Sequence, residues 1–172
     1  MSVAHNGLAF DLTAIFGKDS IEPLELAMEN RFLDTMVLAS IVNPAPYMFT
    51  MRNGRKVFDG ASPERAKTWL SLDNQCFQLK VPGKIGSLQE LAKKYNPPKT
   101  KVSDLDYSLI PVDDPEFVEY AIQDVVALRD LARKLIDMNK NGFVVPWAYA
   151  HREQQFAAIN AQMSRNGFRV DI

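Results

Sequence analysis

The stretch from Asp113 to Val125, read with the residues that follow to about Met138, constrains this chain more than any other. It predicts one long amphipathic helix. Asp113 or Asp114 can cap its start, Pro115 suits the first helical position, and Glu116 and Glu119 favour the positive end of the helix dipole. Val118, Val125, Leu128, Leu131, Leu135 and Ile136 recur at helical spacing and predict an apolar seam. Tyr120 and Asp124 stand four apart, so both project from one side, near or in that seam. A carboxylate in such a place needs a partner, because burying an unpaired charge is costly. A metal ion, an arginine or a backbone amide would each serve.

The 172 residues suffice for one domain of ordinary size with a real core. A hydrophobic share of 47% and a charged share of 24% belong to a soluble globular protein. The net charge of −1 excludes a global basic field directed at nucleic acid and leaves room only for a local patch. Cys76 has no second cysteine to pair with, which fits a reducing compartment. Residues Met1 to Asn6 lack the basic start and apolar run of a signal peptide, and no apolar run is long enough to span a bilayer. No membrane partner is expected.

Ahead of the long helix, Ser2 to His5 reads as a short strand. Asn6-Gly7 is turn chemistry, and Leu8, Leu12, Ile15 and Phe16 suit a short helix in which Asn6 and Asp11 make local caps. Gly17 to Pro23 reads as a loop and Glu22 to Glu29 as a helical turn. Arg31 to Thr35 predicts a brief strand ending at a helix cap, and Met36 to Val42 a buried helix stopped by Asn43-Pro44-Ala45-Pro46. Residues 47–52 and 55–58 flank Asn53-Gly54, a hairpin signal with a two-residue turn. Ser62-Pro63-Glu64 opens a helix to Trp69 or Leu70, and Cys76 to Val81 reads as a strand. Ser87-Leu88-Gln89-Glu90 has the form of a capping box, starting a helix that turns Leu88, Leu91, Ala92 and Tyr95 inward. Lys93, Lys94, Lys99 and Lys101 make a basic surface, either merely solvated or in contact with a phosphate backbone. Asn139 to Pro146 is a connector. Glu153 to Arg165 is helical with Phe156, Ile159, Asn160 and Met163 on one face, and Asn166-Gly167 ends it before an extended segment.

Each of these signals is weak alone, but their order is specific. Asn6-x-x-x-Phe10-Asp11 followed far downstream by Tyr120-x-x-x-Asp124 resembles the second and third motifs of the DEDDy 3′–5′ exonucleases. Phe32 to Leu38, Ser87 to Ala92 and Met163 to Asp171 narrow the resemblance to the proofreading domain of family A DNA polymerases. Residues 44–86 fit least and read as an insertion. The resemblance implies an α/β, ribonuclease H-like 3′–5′ exonuclease fold, with a partial exonuclease domain over 1–140 and a linker and first polymerase helix over 141–172. It implies hydrolysis of the 3′-terminal phosphodiester of single-stranded DNA, with two divalent ions about 3.5–4 Å apart. Hard oxygen ligands suit Mg2+ or Mn2+. By resemblance, Asp124 and Asp11 hold metal, Tyr120 orients the attacking water, and Asn6 and Phe10 shape the substrate pocket. The cytoplasm of a bacterial or phage-infected cell is the implied location.

One departure matters. The family's first motif, Asp-x-Glu, lies on a strand well upstream of the second, and Asn6 has only five residues before it. The Asp-x-Glu at Asp114-Pro115-Glu116 carries proline and opens a helix, so it is a cap. Two of four expected ligands are therefore missing. The expectation is an N-terminally truncated fold without its first sheet strands, a helix-rich remainder with a small hairpin insertion, catalytically dead or nearly so on its own. The missing strands and the polymerase part would come from the same gene or a separate chain. A non-catalytic DNA- or polymerase-binding module is the alternative, and an RNA-trimming DEDDy enzyme a third reading.

Overall fold

The computed structural model describes residues 1–44, 48–53, 55–59, 68–83, 86–142 and 144–167. Its spine is the long helix. Asp114 caps it, its Oδ1 accepting from the amides of Glu116 at 2.8 Å and Phe117 at 3.0 Å, and Pro115 occupies the first turn. In chain order the described elements are β1 (Ser2–Ala4), α1 (Asp11–Phe16), α2 (Glu22–Met28), β2 (Phe32–Asp34), α3 (Thr35–Val42), β3 (Met48–Arg52), β4 (Arg55–Asp59), α4 (Leu72–Leu79), α5 (Leu88–Tyr95), the spine α6 (Pro115–Met138) and α7 (Trp147–Asn166). The architecture is helix-rich, with two small sheets.

β1 and β2 pair in parallel, Val3 opposite Leu33, with α1 and α2 making the crossover that a parallel pair requires. β3 and β4 form the expected hairpin, antiparallel with Arg52 opposite Arg55 and Asn53 in the left-handed region at φ 52°. β2 is buried throughout and runs straight into α3, which Asp34 caps by accepting from Met36 N at 3.0 Å. The main core lies between α3, α6 and α4: Leu38, Ala39 and Val42 meet Ala127, Leu131 and Leu135, with Leu33 and Cys76 beside them. A second cluster joins Leu8, Leu12, Ala27 and Phe32 to Ala158 of α7. A third, built on Leu91, Ala92, Leu105 and Ile110, seats α5 with Leu88 and Tyr95 against it.

Several expectations change. Residues 72–79 are helical, in place of the strand expected over Cys76 to Val81. Ser71 caps this helix, accepting from Asn74 N at 3.4 Å, and Lys80 ends it in the left-handed conformation at φ 55°. The cysteine is buried because the helix turns Leu72, Cys76 and Leu79 onto α6, a spacing of four and three. The apolar seam of α6 is buried only along its C-terminal half. Val118 is 41% exposed and Val125 66%, because α6, about 36 Å long at 1.5 Å per residue, outruns the short elements beside it. Ser87 stands at the cap of α5 but makes no side-chain cap bond, so the capping box does not close. α7 starts at Trp147, earlier than its periodicity indicates, because Pro146 O accepts from the amides of Tyr149 and Ala150. Phe156, Ile159 and Met163 do share a face of α7, but it is the outward one, while Ala150, Gln154 and Ala158 face α2 and α3. The helix opened by Ser62-Pro63-Glu64 and the segment after Gly167 lie outside the described residues. No helix among the described residues is long and apolar enough to cross a membrane.

Candidate active-site cleft

The turn between β1 and α1 is set by Asp34 as much as by its own residues. Asp34 is 1% exposed, and its carboxylate accepts from the amides of Asn6 at 2.8 Å and Leu8 at 3.1 Å as well as from Met36. Asn6 is thereby held at φ 61°, a left-handed conformation that asparagine tolerates. Gly7 follows because nothing larger fits: a Cβ there would fall on Ala4 Cβ and lie 2.9 Å from Phe32 Cζ. From the far end of the chain Arg165 closes over the same segment, its Nη1 donating to Leu8 O at 3.2 Å and Thr13 Oγ1 at 3.0 Å. These bonds fix where α1 begins, and Asp11 is its first residue.

Asp11 and Asp124 line one cleft of about 280 Å³, together with His5, Leu72, Val125 and Leu128. Two distant segments thus bring a carboxylate each to one hollow. Asp11 is exposed, whereas Asp124 is half-buried with its Oδ1 closed off from solvent. Phe10, next to Asp11, is 67% exposed, an aromatic face open at the mouth of α1. Tyr120 is half-buried and lines a different hollow, with Ser87, Leu91, Glu116 and Glu119, so the cleft does not gather it. Asn6 acts through its backbone in the turn.

His5 is the residue that motif reading passed over. Its Nε2 donates to Leu70 O at 2.7 Å, and its Nδ1 lies 2.9 Å from Thr35 Oγ1. Thr35 Oγ1 in turn donates to Ala4 O at 3.1 Å. A histidine directly after a strand carries no spacing signal, and its partners lie 30 and 65 residues away. Asp34 was legible as a helix cap, but its hold on Asn6 and Leu8 was not.

The donor set does not fit the implied pair of cations. Among the described residues two carboxylates face the cleft where a two-ion site uses four, and three of the six described lining residues are apolar. Among the described residues no group of three or more His, Cys, Asp or Glu side chains is arranged to hold a metal ion. The basic surface is equally modest. Lys94 pairs with Glu116 at 2.9 Å and lies 3.7 Å from Asp114, while Lys93, Lys99 and Lys101 are exposed. The pairing to Glu116 holds the Lys94 ammonium above its ordinary value.

The chain matches no family model, no curated protein and no solved structure.

Proposed function

We propose that this chain carries one side of a divalent-cation site of the DEDDy 3′–5′ exonuclease kind, as in the proofreading domain of family A DNA polymerases, directed at the 3′ end of single-stranded DNA. The observation that carries this reading is the meeting of Asp11 and Asp124 at one cleft from distant parts of the chain. Both would offer hard oxygen ligands to Mg2+ or Mn2+. The open ring of Phe10 beside Asp11 suits stacking on an unpaired terminal base. Tyr120, one helical turn before Asp124, enters the reading by resemblance alone. With two carboxylates in place of four, the chain by itself is inactive or nearly so, and the remaining donors come from another segment or another chain.

Mn2+ binding followed by electron paramagnetic resonance tests this. Weak binding by the unaltered chain, lost in both Asp11→Asn and Asp124→Asn, is the expected result. Binding that ignores both substitutions would overturn the reading. A 3′-labelled single strand should survive incubation with the chain and Mg2+ or Mn2+. Robust cleavage abolished by Asp124→Ala would show that the site is complete after all. The short donor set favours the second reading, a non-catalytic DNA-binding module; single-strand affinity independent of Mn2+ would distinguish it.

A further inference from the structure

The α6 helix carries a second apolar side. Ala127, Leu131 and Leu135 mark the side that meets the core. Away from it, Val118, Ile122 and Val125 follow one another at steps of four and three, and all are exposed. With Phe117, Val126 and Val112 just ahead of the helix, they line an open hollow of about 400 Å³. A helix that is apolar on opposite sides needs a cover, and a contiguous exposed patch marks an interaction site. The charge around this stripe is uneven. The next step of four is Arg129, with Arg133 one turn further on. Both are exposed and share one carboxylate, Asp130, at 2.8 Å from Arg129 and 3.8 Å from Arg133. Neither lies in the last turn of α6, so the helix dipole does not account for them. At the other end Asp113 and Glu119 are exposed, while Lys94 serves both Asp114 and Glu116. One end of the stripe is therefore rich in cations and the other in anions.

We propose that two copies of this chain pair through this stripe, α6 against α6 and antiparallel, with the two-fold axis between Ile122 and Val125. Such an interface is self-complementary, so each contact occurs twice. In that register Ile122 lies level with Val125 of the second copy, and Val118 with Arg129. The aliphatic stem of Arg129 covers Val118 while its guanidinium reaches Glu119. Arg133 comes level with the acidic end that carries Asp113 and Glu116. A parallel pair would set the acidic ends together and the arginines together, so charge selects the antiparallel arrangement. Affinity comes from burying the apolar stripe, because exposed ion pairs contribute little. From Val118 to Val126 the stripe runs only about 12 Å along the axis at 1.5 Å per residue. That is short for a standard interface of about 800 Å² per partner, so the dimer is weak and half-formed on the order of tens of micromolar. At about 1 µM the chain is monomeric and the stripe is open to solvent. The inference stands whether or not Asp11 and Asp124 hold a cation.

Sedimentation equilibrium of the full chain from about 1 to 300 µM tests this. The mean mass should rise from that of a monomer towards that of a dimer across the range. Ile122→Asp sets two carboxylates close to the axis and should weaken the dimer about tenfold or more. Arg129→Glu and Glu119→Arg should each weaken it, since each puts like charges together on both sides of the axis. An equimolar mixture of those two variants should dimerise again, because every such pair between unlike copies is then opposite in sign. All three positions are exposed, and an unchanged circular dichroism spectrum shows that each variant is folded. A chain that stays monomeric to 300 µM overturns the proposal and leaves the stripe to a different partner. A dimer that Ile122→Asp leaves intact overturns it too, because the copies then meet elsewhere. A mixture no more associated than its parts overturns the antiparallel pairing.

Discussion

Gln154 lies against Asp34 as a neighbouring strand would. Asp34 N donates to Gln154 Oε1 at 2.9 Å and Gln154 Nε2 donates to Asp34 O at 3.0 Å. Both residues are buried, and the side-chain amide satisfies the outward backbone groups of β2 at that point. Gln154→Leu keeps the bulk and strands one donor and one acceptor. It should cost about 2–6 kcal/mol, at 1–3 kcal/mol for each unsatisfied buried group. Urea denaturation reads this as a lowered midpoint at unchanged m-value, and a shift within error would show that water replaces the amide.

Asp34 also aims the turn that presents Asp11. Asp34→Ala frees the amides of Asn6, Leu8 and Met36 at once, and should cost about 3 kcal/mol or more on the same per-group scale. Asp34→Asn keeps one acceptor oxygen and should cost less. If the turn positions Asp11, Asp34→Asn also weakens Mn2+ binding under conditions where it is still fully folded. Equal binding by the two folded proteins would separate the turn from the site.

Gly7→Ala tests the same turn by crowding. Added to Ala4 Cβ and Phe32 Cζ, the methyl group has no room, and overpacking of this kind costs about 1–3 kcal/mol. A variant as stable as the parent would mean that β1 shifts to accommodate it.

The α6 helix offers a comparison within one element. Leu131 is 0% exposed, and Leu131→Ala should cost about 2–5 kcal/mol. Ile122 is 55% exposed, and Ile122→Ala should fall within about 0.5 kcal/mol of the parent. Comparable losses at both sites would mean that the outer half of α6 is covered in solution.

The bond from Tyr95 to Asp114 makes stability depend on pH at both extremes. That hydrogen bond, chiefly, holds the Asp114 carboxyl below its ordinary value and raises the Tyr95 phenol above its own. For Asp114 the unfolded chain binds the extra proton, so this stabilisation is present above the ordinary 3.8 and is lost as pH falls through the folded value. For Tyr95 it is present below the ordinary 10.0 and is lost as pH rises through the folded value. Thermal melts should show Tyr95→Phe less stable than the parent by a constant amount between those limits. The gap should close on the acid side below 3.8. A gap that persists unchanged into acid would mean that ring packing, not the hydrogen bond, is lost.

The elements that announce themselves locally were legible: the capped and proline-started α6, the strand-to-cap step at Asp34, the Asn53 hairpin and the glycine end of α7. What escaped was set by distant partners. Cys76 looks extended in a short apolar run and is helical because α6 receives its face. Val118 and Val125 look like core by period, yet period gives a face and not its cover. At the cleft, Asp11 and Asp124 could be named from motif order, while His5, Leu72 and the reach of Asp34 depend on bonds between segments that no local pattern encodes.

The bridge from Gln154 to Asp34 also has a consequence for biosynthesis. The outward groups of β2 leave the ribosome about 120 residues before the side chain that satisfies them. Until α7 emerges, the nascent chain presents a half-bonded strand pair and the bare apolar side of Leu8, Leu12 and Phe32 to solvent. Stalled or truncated products lacking α7 should therefore be prime clients for chaperones, and α7 is the step that commits the first strands to their place.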